Sequence, residues 1–247
     1  VKQELSPHQA AEEIILYLKK LADPQFAQQS QRFFKEPVSL LGIPSAELRR
    51  QAKQFFQEIK NFWTLNQVLE FSRHLFSSPY VEVRALAILV LSHNAHFFEK
   101  HHLAEFKSWL ANNYFDNWAL VDLFCPNIIS PLLDKNPEIA SELLQWTTST
   151  NLWVRRSAAV SFIRPVRTSR FLAEAYQVAK RLFSDKEDLI QKAVGWLLRE
   201  AGKTDMRRLE KFLLRHGPLI PRTTLRYAIE RFPENKRKEL LKKTRPK

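Results

Sequence analysis

"DLIQKAVGWLLRE", residues 188–200, decides the fold, because its pattern returns along the chain. Its apolar residues recur at i, i+3, i+4 spacing, the mark of a helix with one buried face. A basic residue, Lys192, stands just before a step of small and apolar residues. "NLWVRRSAAVSFI" from Asn151, "PRTTLRYAIERF" from Pro221 and "PYVEVRALAILVL" from Pro79 repeat the arrangement, with Arg156, Arg226 and Arg84 in the basic slot.

Taken in order, Arg84, Arg156, Lys192 and Arg226 are separated by 72, 36 and 34 residues. The first interval is twice the others, so one repeat belongs inside it. Its slot falls near residue 120, where "NWALVDLF" (117–124) sets Asp122 in place of a cation. "IPSAELRRQAKQFF" extends the series back to Arg49 or Arg50. Between the slots, "LNQVLEFSRHLF", "EIASELLQWT" and "FLAEAYQVAKRLF" are amphipathic as well. A helix pair every ~36 residues is the spacing of HEAT-like repeats. The expected fold is all-α: an α-solenoid of stacked HEAT-like repeats forming one domain over residues 1–247. Equivalent slots would line a concave groove, basic at most positions and acidic at its middle.

Composition agrees. Four glycines are too few for the turns of a sandwich or a doubly wound sheet. No apolar run reaches the length of a membrane span. The opening "VKQELSPHQAAEEIILYLKK" reads as a capped amphipathic helix and not as a secretory signal. A single cysteine, Cys125, excludes an intrachain disulfide and a cysteine metal cluster, and fits a cytoplasmic setting. Cys125 itself reads as a buried thiol. The net charge of +13 favours a polyanionic partner, nucleic acid first. The basic tail "NKRKELLKKTRPK", 235–247, is expected to fray. Within "HNAHFFEKHH" (93–102), His93 and His96 have the spacing of a metal pair, but no third ligand completes them, and a solvated turn is the better reading.

Asp122 poses the functional question, since an ionised carboxylate in an apolar helical run needs compensation. One answer is structural: a pair with Arg156 that ties adjacent repeats. The other is a cationic ligand. Trp118 precedes Asp122 by four residues and Trp196 follows Lys192 by four, so each indole shares a helix face with its slot. In the groove arrangement two indoles and a carboxylate converge, an environment attractive to a cation. The flanking Arg and Lys side chains suit phosphates. Alkylated purines carry positive charge, and breaking their N-glycosidic bond develops oxocarbenium character that a carboxylate stabilises. The remaining tryptophans, Trp63, Trp109, Trp146 and Trp153, fit the core.

"NWALVD", "NLWVRRSAA", "IQKAVGWLLRE" and "LLGIPSAELR" resemble the signature segments of the bacterial HEAT-like DNA alkylation repair glycosylases, the AlkD group, over residues 30–232. The resemblance implies a glycosylase of base excision repair that removes 3-methyladenine and 7-methylguanine from double-stranded DNA, without a metal or cofactor and without flipping the base. It implies Trp118, Asp122 and Trp196 as the active-site trio and Arg156 as a phosphate ligand. Lys192, Arg84, Arg226, Phe33, Arg49 and Arg50 complete the expected DNA-contacting set. Ala119 replaces a frequent acidic residue, and Phe33 stands where a tyrosine is expected, which removes a hydroxyl. The expected protein is a monomer with no membrane association. A non-catalytic HEAT-like module that binds damaged or branched DNA, or a protein scaffold, is the alternative.

Overall fold

The computed structural model describes residues 5–245. They are helical, with no β-strand among them; a single isolated bridge joins Ser39 to Tyr80. They fall into two compact units divided between Ile128 and Ile129.

The first unit contains α1 (Pro7–Lys20), α2 (Pro24–Gln31), α3 (Ser45–Ile59), α4 (Leu65–Phe76), α5 (Val81–Ser92), α6 (His102–Ala111) and α7 (Trp118–Phe124). Ser6 and Gln9 form a reciprocal capping box at the start of α1, and Thr64 with Gln67 does the same for α4. Helix α5 is buried from Val81 to Leu91, Glu82 and Arg84 included, because its other residues there are apolar on every side. It packs against α3, α4 and α7, while α1 packs on α4.

The sequence "LLGIPSAELR" acquires a physical meaning here. Buried Glu82 of α5 accepts backbone N–H bonds from Leu41 (3.0 Å), Gly42 (2.8 Å) and Ile43 (3.3 Å). One carboxylate thus satisfies three donors that would otherwise be stranded. Gly42 has φ +80°, and a Cβ there would lie 2.0 Å from the Asp23 carbonyl oxygen. Only glycine fits that close turn.

A π-helical turn, Cys125–Ile129, contains the division between the units. The second unit then runs through α8 (Ser130–Lys135), α9 (Ala140–Gln145), α10 (Leu152–Val160), α11 (Ile163–Val166), α12 (Leu172–Arg181), α13 (Asp188–Thr204), α14 (Met206–His216), α15 (Arg222–Ala228) and α16 (Glu234–Lys243). Helix α13 is its centre and touches α10, α11, α12, α14 and α15. Gly195 permits the closest of these approaches: a Cβ there would meet Tyr227 Cβ at 2.4 Å and the Thr224 carbonyl oxygen at 2.8 Å. Thr224 Oγ1 donates across the same contact to the Gln191 carbonyl at 2.9 Å.

Two sequence expectations need correction. The basic tail does not fray over its described part, because Leu240 and Thr244 are fully buried and Gly217 leaves room for Thr244. Arg222 also bonds the Leu241 carbonyl at 3.1 Å. The end of the tail, 246–247, lies outside the described residues. Trp63, Trp109 and Trp146 are core, but Trp153 is only half-buried. The histidine stretch does turn between helices, with His96 and His101 exposed. Phe98 and His102, however, are buried and anchor it.

Candidate nucleic-acid interface

In the first unit, α7 is short but firmly held. Asn117 caps it by accepting the N–H of Leu120 at 3.1 Å. Leu120, Val121 and Phe124 fill its inner face, and Phe124 packs on Phe115 (4.7 Å between ring centres) and Phe106 (5.6 Å). Trp118 and Asp122, one turn apart, are both half-buried. An aromatic layer therefore fixes the helix on one side while an indole and a carboxylate occupy another.

The indole has its own clamp. Trp118 Nε1–H donates to the Phe33 carbonyl at 3.3 Å, and its ring stacks on Phe34 at 5.6 Å and 30°. Phe33 points its ring outward, 61% exposed, beneath the Arg32 guanidinium at 5.0 Å. Phe33 thus meets Trp118 through its backbone carbonyl and not through its ring. Phe34 and Arg32 escaped the sequence reading, since neither lies on a repeating position.

Arg84 is placed differently from its slot assignment. It is buried, and its guanidinium binds Asp116 at 2.8 Å and the Tyr114 carbonyl at 3.1 Å. Asp116 also accepts from the Asn117 side chain at 3.1 Å. Arg84 therefore braces the residues that start α7, behind Trp118. Arg49 and Arg50 are exposed on α3, with Arg50 paired to Glu47 at 2.6 Å.

In the second unit, Arg156 of α10 is buried and donates to the Leu189 carbonyl at the start of α13. Its neighbour Arg155, which the repeat pattern passes over, binds Asp185 at 2.7 Å. Trp196 is half-buried on α13, one turn after Lys192. The Lys192 ammonium bonds Asp188 at 2.7 Å, and that bond raises its pKa. Arg226 and Tyr227 are exposed on α15. Of the predicted set, the cations offered outward are thus Lys192 and Arg226 here, and Arg49 and Arg50 in the first unit.

A repair-family model, described as DNA alkylation repair enzyme, matches residues 14–232 and so covers both units. The chain belongs to that family. The chain is similar in structure to a predicted DNA alkylation repair enzyme from Enterococcus faecalis, with a TM-score of 0.76 and 18% identity over 86% of this chain and 97% of the other. AlkD2 from Streptococcus mutans aligns with a TM-score of 0.61 and 16% identity, over 91% and 99%. The smu.31 protein of Streptococcus mutans UA159 gives 0.58 and 17%, over 88% and 100%. No curated protein matches by sequence. At these identities the solved structures establish the shared helical fold. Among the described residues no helix is long and apolar enough to cross a membrane.

Proposed function

We propose that this member of the family is an N-glycosylase that releases cationic alkylated purines, such as 7-methylguanine and 3-methyladenine, from double-stranded DNA. The observation that carries the reading is α7: Trp118 and Asp122 share a face of a helix whose other face is locked in an aromatic layer. A preorganised carboxylate stabilises developing positive charge without paying for reorganisation at the moment of reaction.

In this reading Asp122 stands beside the deoxyribose as the glycosidic bond breaks, offsets the oxocarbenium charge and orients the attacking water. The cationic base departs neutral, so no general acid is needed, and one carboxylate serves where most glycosidases use two. Trp118 holds that nucleotide through the affinity of an indole face for a cation, and Trp196 offers an indole of the same kind in the second unit. The base stays in the duplex, unlike the usual glycosylase strategy. Lys192, Arg226, Arg49 and Arg50 meet phosphates. The test is single-turnover release of 7-methylguanine from duplex DNA; no release from 7-methylguanine or 3-methyladenine substrates would overturn the reading.

One observation favours a second reading. Two of the slot arginines, Arg84 and Arg156, are buried and hold helices together. A non-catalytic module that binds damaged duplex would retain the same framework. It would show salt-dependent affinity for DNA without base release.

A further inference from the structure

The first unit brings together three side chains that no repeat position and no DNA contact explains. His8 and Glu12 stand one turn apart on α1, and His74 comes from the last turn of α4. One nitrogen from each imidazole and one Glu12 carboxylate oxygen lie within 4.8 Å of one another. His74 Nε2 is 2.6 Å from Glu12 Oε1, and the two imidazoles meet edge to face at 4.3 Å between centres.

We infer that His8, Glu12 and His74 form a binding site for a divalent transition-metal ion of the zinc, nickel or copper class. Two imidazoles with one carboxylate are the donor set such ions take, whereas calcium and magnesium prefer oxygen alone. Three ligands bound to one ion at about 2.0–2.2 Å stand roughly 3–3.5 Å apart. The widest separation here must close by about an ångström or so, and the His74–Glu12 contact must open by less. Both movements are side-chain rotations at a surface, since His8 and Glu12 are exposed and His74 is half-buried.

The backbone is already in position. The capping box at Ser6 and Gln9 fixes the first turn of α1, and the i, i+4 spacing sets His8 and Glu12 on one face. The outer side of the cluster is open, so water completes the coordination, as in zinc sites with three protein ligands. Because the ligands come from two packed helices, the ion would clamp α1 to α4. It plays no part in base release, so the inference is independent of the proposed activity.

Tag-free protein comprising residues 1–247, stripped with a chelator, is titrated with zinc while binding and thermal midpoint are followed. The expected result is one equivalent bound. At free zinc about 100-fold above the dissociation constant, the midpoint should rise by roughly 5–10 °C. His8→Ala and Glu12→Gln, both at exposed positions, should keep the metal-free midpoint and weaken binding by about 100-fold, since even partners outside the ligand shell cost about 10- to 100-fold. His74→Ala should weaken zinc binding to the same extent. Absence of binding would overturn the site. So would zinc binding that survives in both exposed variants and disappears in His96→Ala, which would locate the ion in the 93–102 turn.

Discussion

The indole N–H of Trp118 donates to the carbonyl of Phe33, 85 residues earlier in the chain, at 3.3 Å. With the Phe34 ring stacked on the same indole, the segment after α2 becomes a support for the start of α7. Phe34→Ala should loosen Trp118 without emptying the core, because Phe34 is only half-buried. An aromatic pair of this kind contributes about 0.5–1.5 kcal/mol. Base release should slow by roughly 3- to 10-fold, with affinity for undamaged duplex unchanged. Equal release by variant and parent would show that the indole needs no support.

Asp122→Asn preserves shape and removes charge. If the carboxylate stabilises the transition state, 7-methylguanine release should fall by about 10²-fold or more, while folding and duplex binding persist. Thermal denaturation of the same variant separates this from a structural pair. A destabilised but fully active protein would make Asp122 a strut.

Arg84 and the exposed cations should part company. Arg84→Ala removes a buried guanidinium from Asp116, which is half exposed, so the loss should sit near the lower end of the range for broken buried pairs, about 3 kcal/mol. The salt dependence of DNA binding should stay the same. Lys192→Ala and Arg226→Ala should each reduce the log–log salt slope by about one and leave stability nearly untouched. A reduced slope for Arg84→Ala would return it to the phosphate-binding set.

Glu200 should make stability pH-dependent. Burial alone would raise its carboxyl, but the bond from Lys203 and the attraction of Arg167 outweigh it, and the pKa is lowered. A depressed folded pKa stabilises the protein above the unfolded value of about 4.3 and loses that contribution as pH falls through the folded value. The gap in melting temperature between parent and Glu200→Gln should therefore be full at pH 7 and shrink below about pH 4. A gap that stays constant down to pH 3 would refute the linkage.

Gly195→Ala should be costly although alanine favours helices. The new Cβ would collide with Tyr227 Cβ and a backbone oxygen, neither of which is the movable end of a side chain. Overpacking of this sort costs about 1–3 kcal/mol, read as a lower denaturation midpoint. A neutral substitution would show that α15 can withdraw from α13.

The helical class was legible in the sequence for a simple reason. Apolar residues at helical spacing report a buried face directly, and the recurrence of Arg84, Arg156, Lys192 and Arg226 exposes the repeat. Trp118 and Asp122 could be paired from spacing alone, since residues four apart on a helix share a face. The family match over residues 14–232 agrees with the resemblance carried by the four segments.

What spacing cannot supply is whether a slot residue faces water or a neighbouring helix. Arg84 and Lys192 occupy equivalent positions in the repeat, yet Arg84 is enclosed beside Asp116 and Lys192 is 41% exposed on its side chain. The difference depends on which element packs next to each, and that is a property of tertiary structure. The same holds for Glu82 beneath the Gly42 turn, for Phe34 behind Trp118, and for His8, Glu12 and His74. Their partners lie about 40, 84 and 62 residues away, separations at which sequence periodicity carries no information about contact. The sequence alone determined the helices and the faces they bury; the packing of those faces decided which charges became struts and which remained outside.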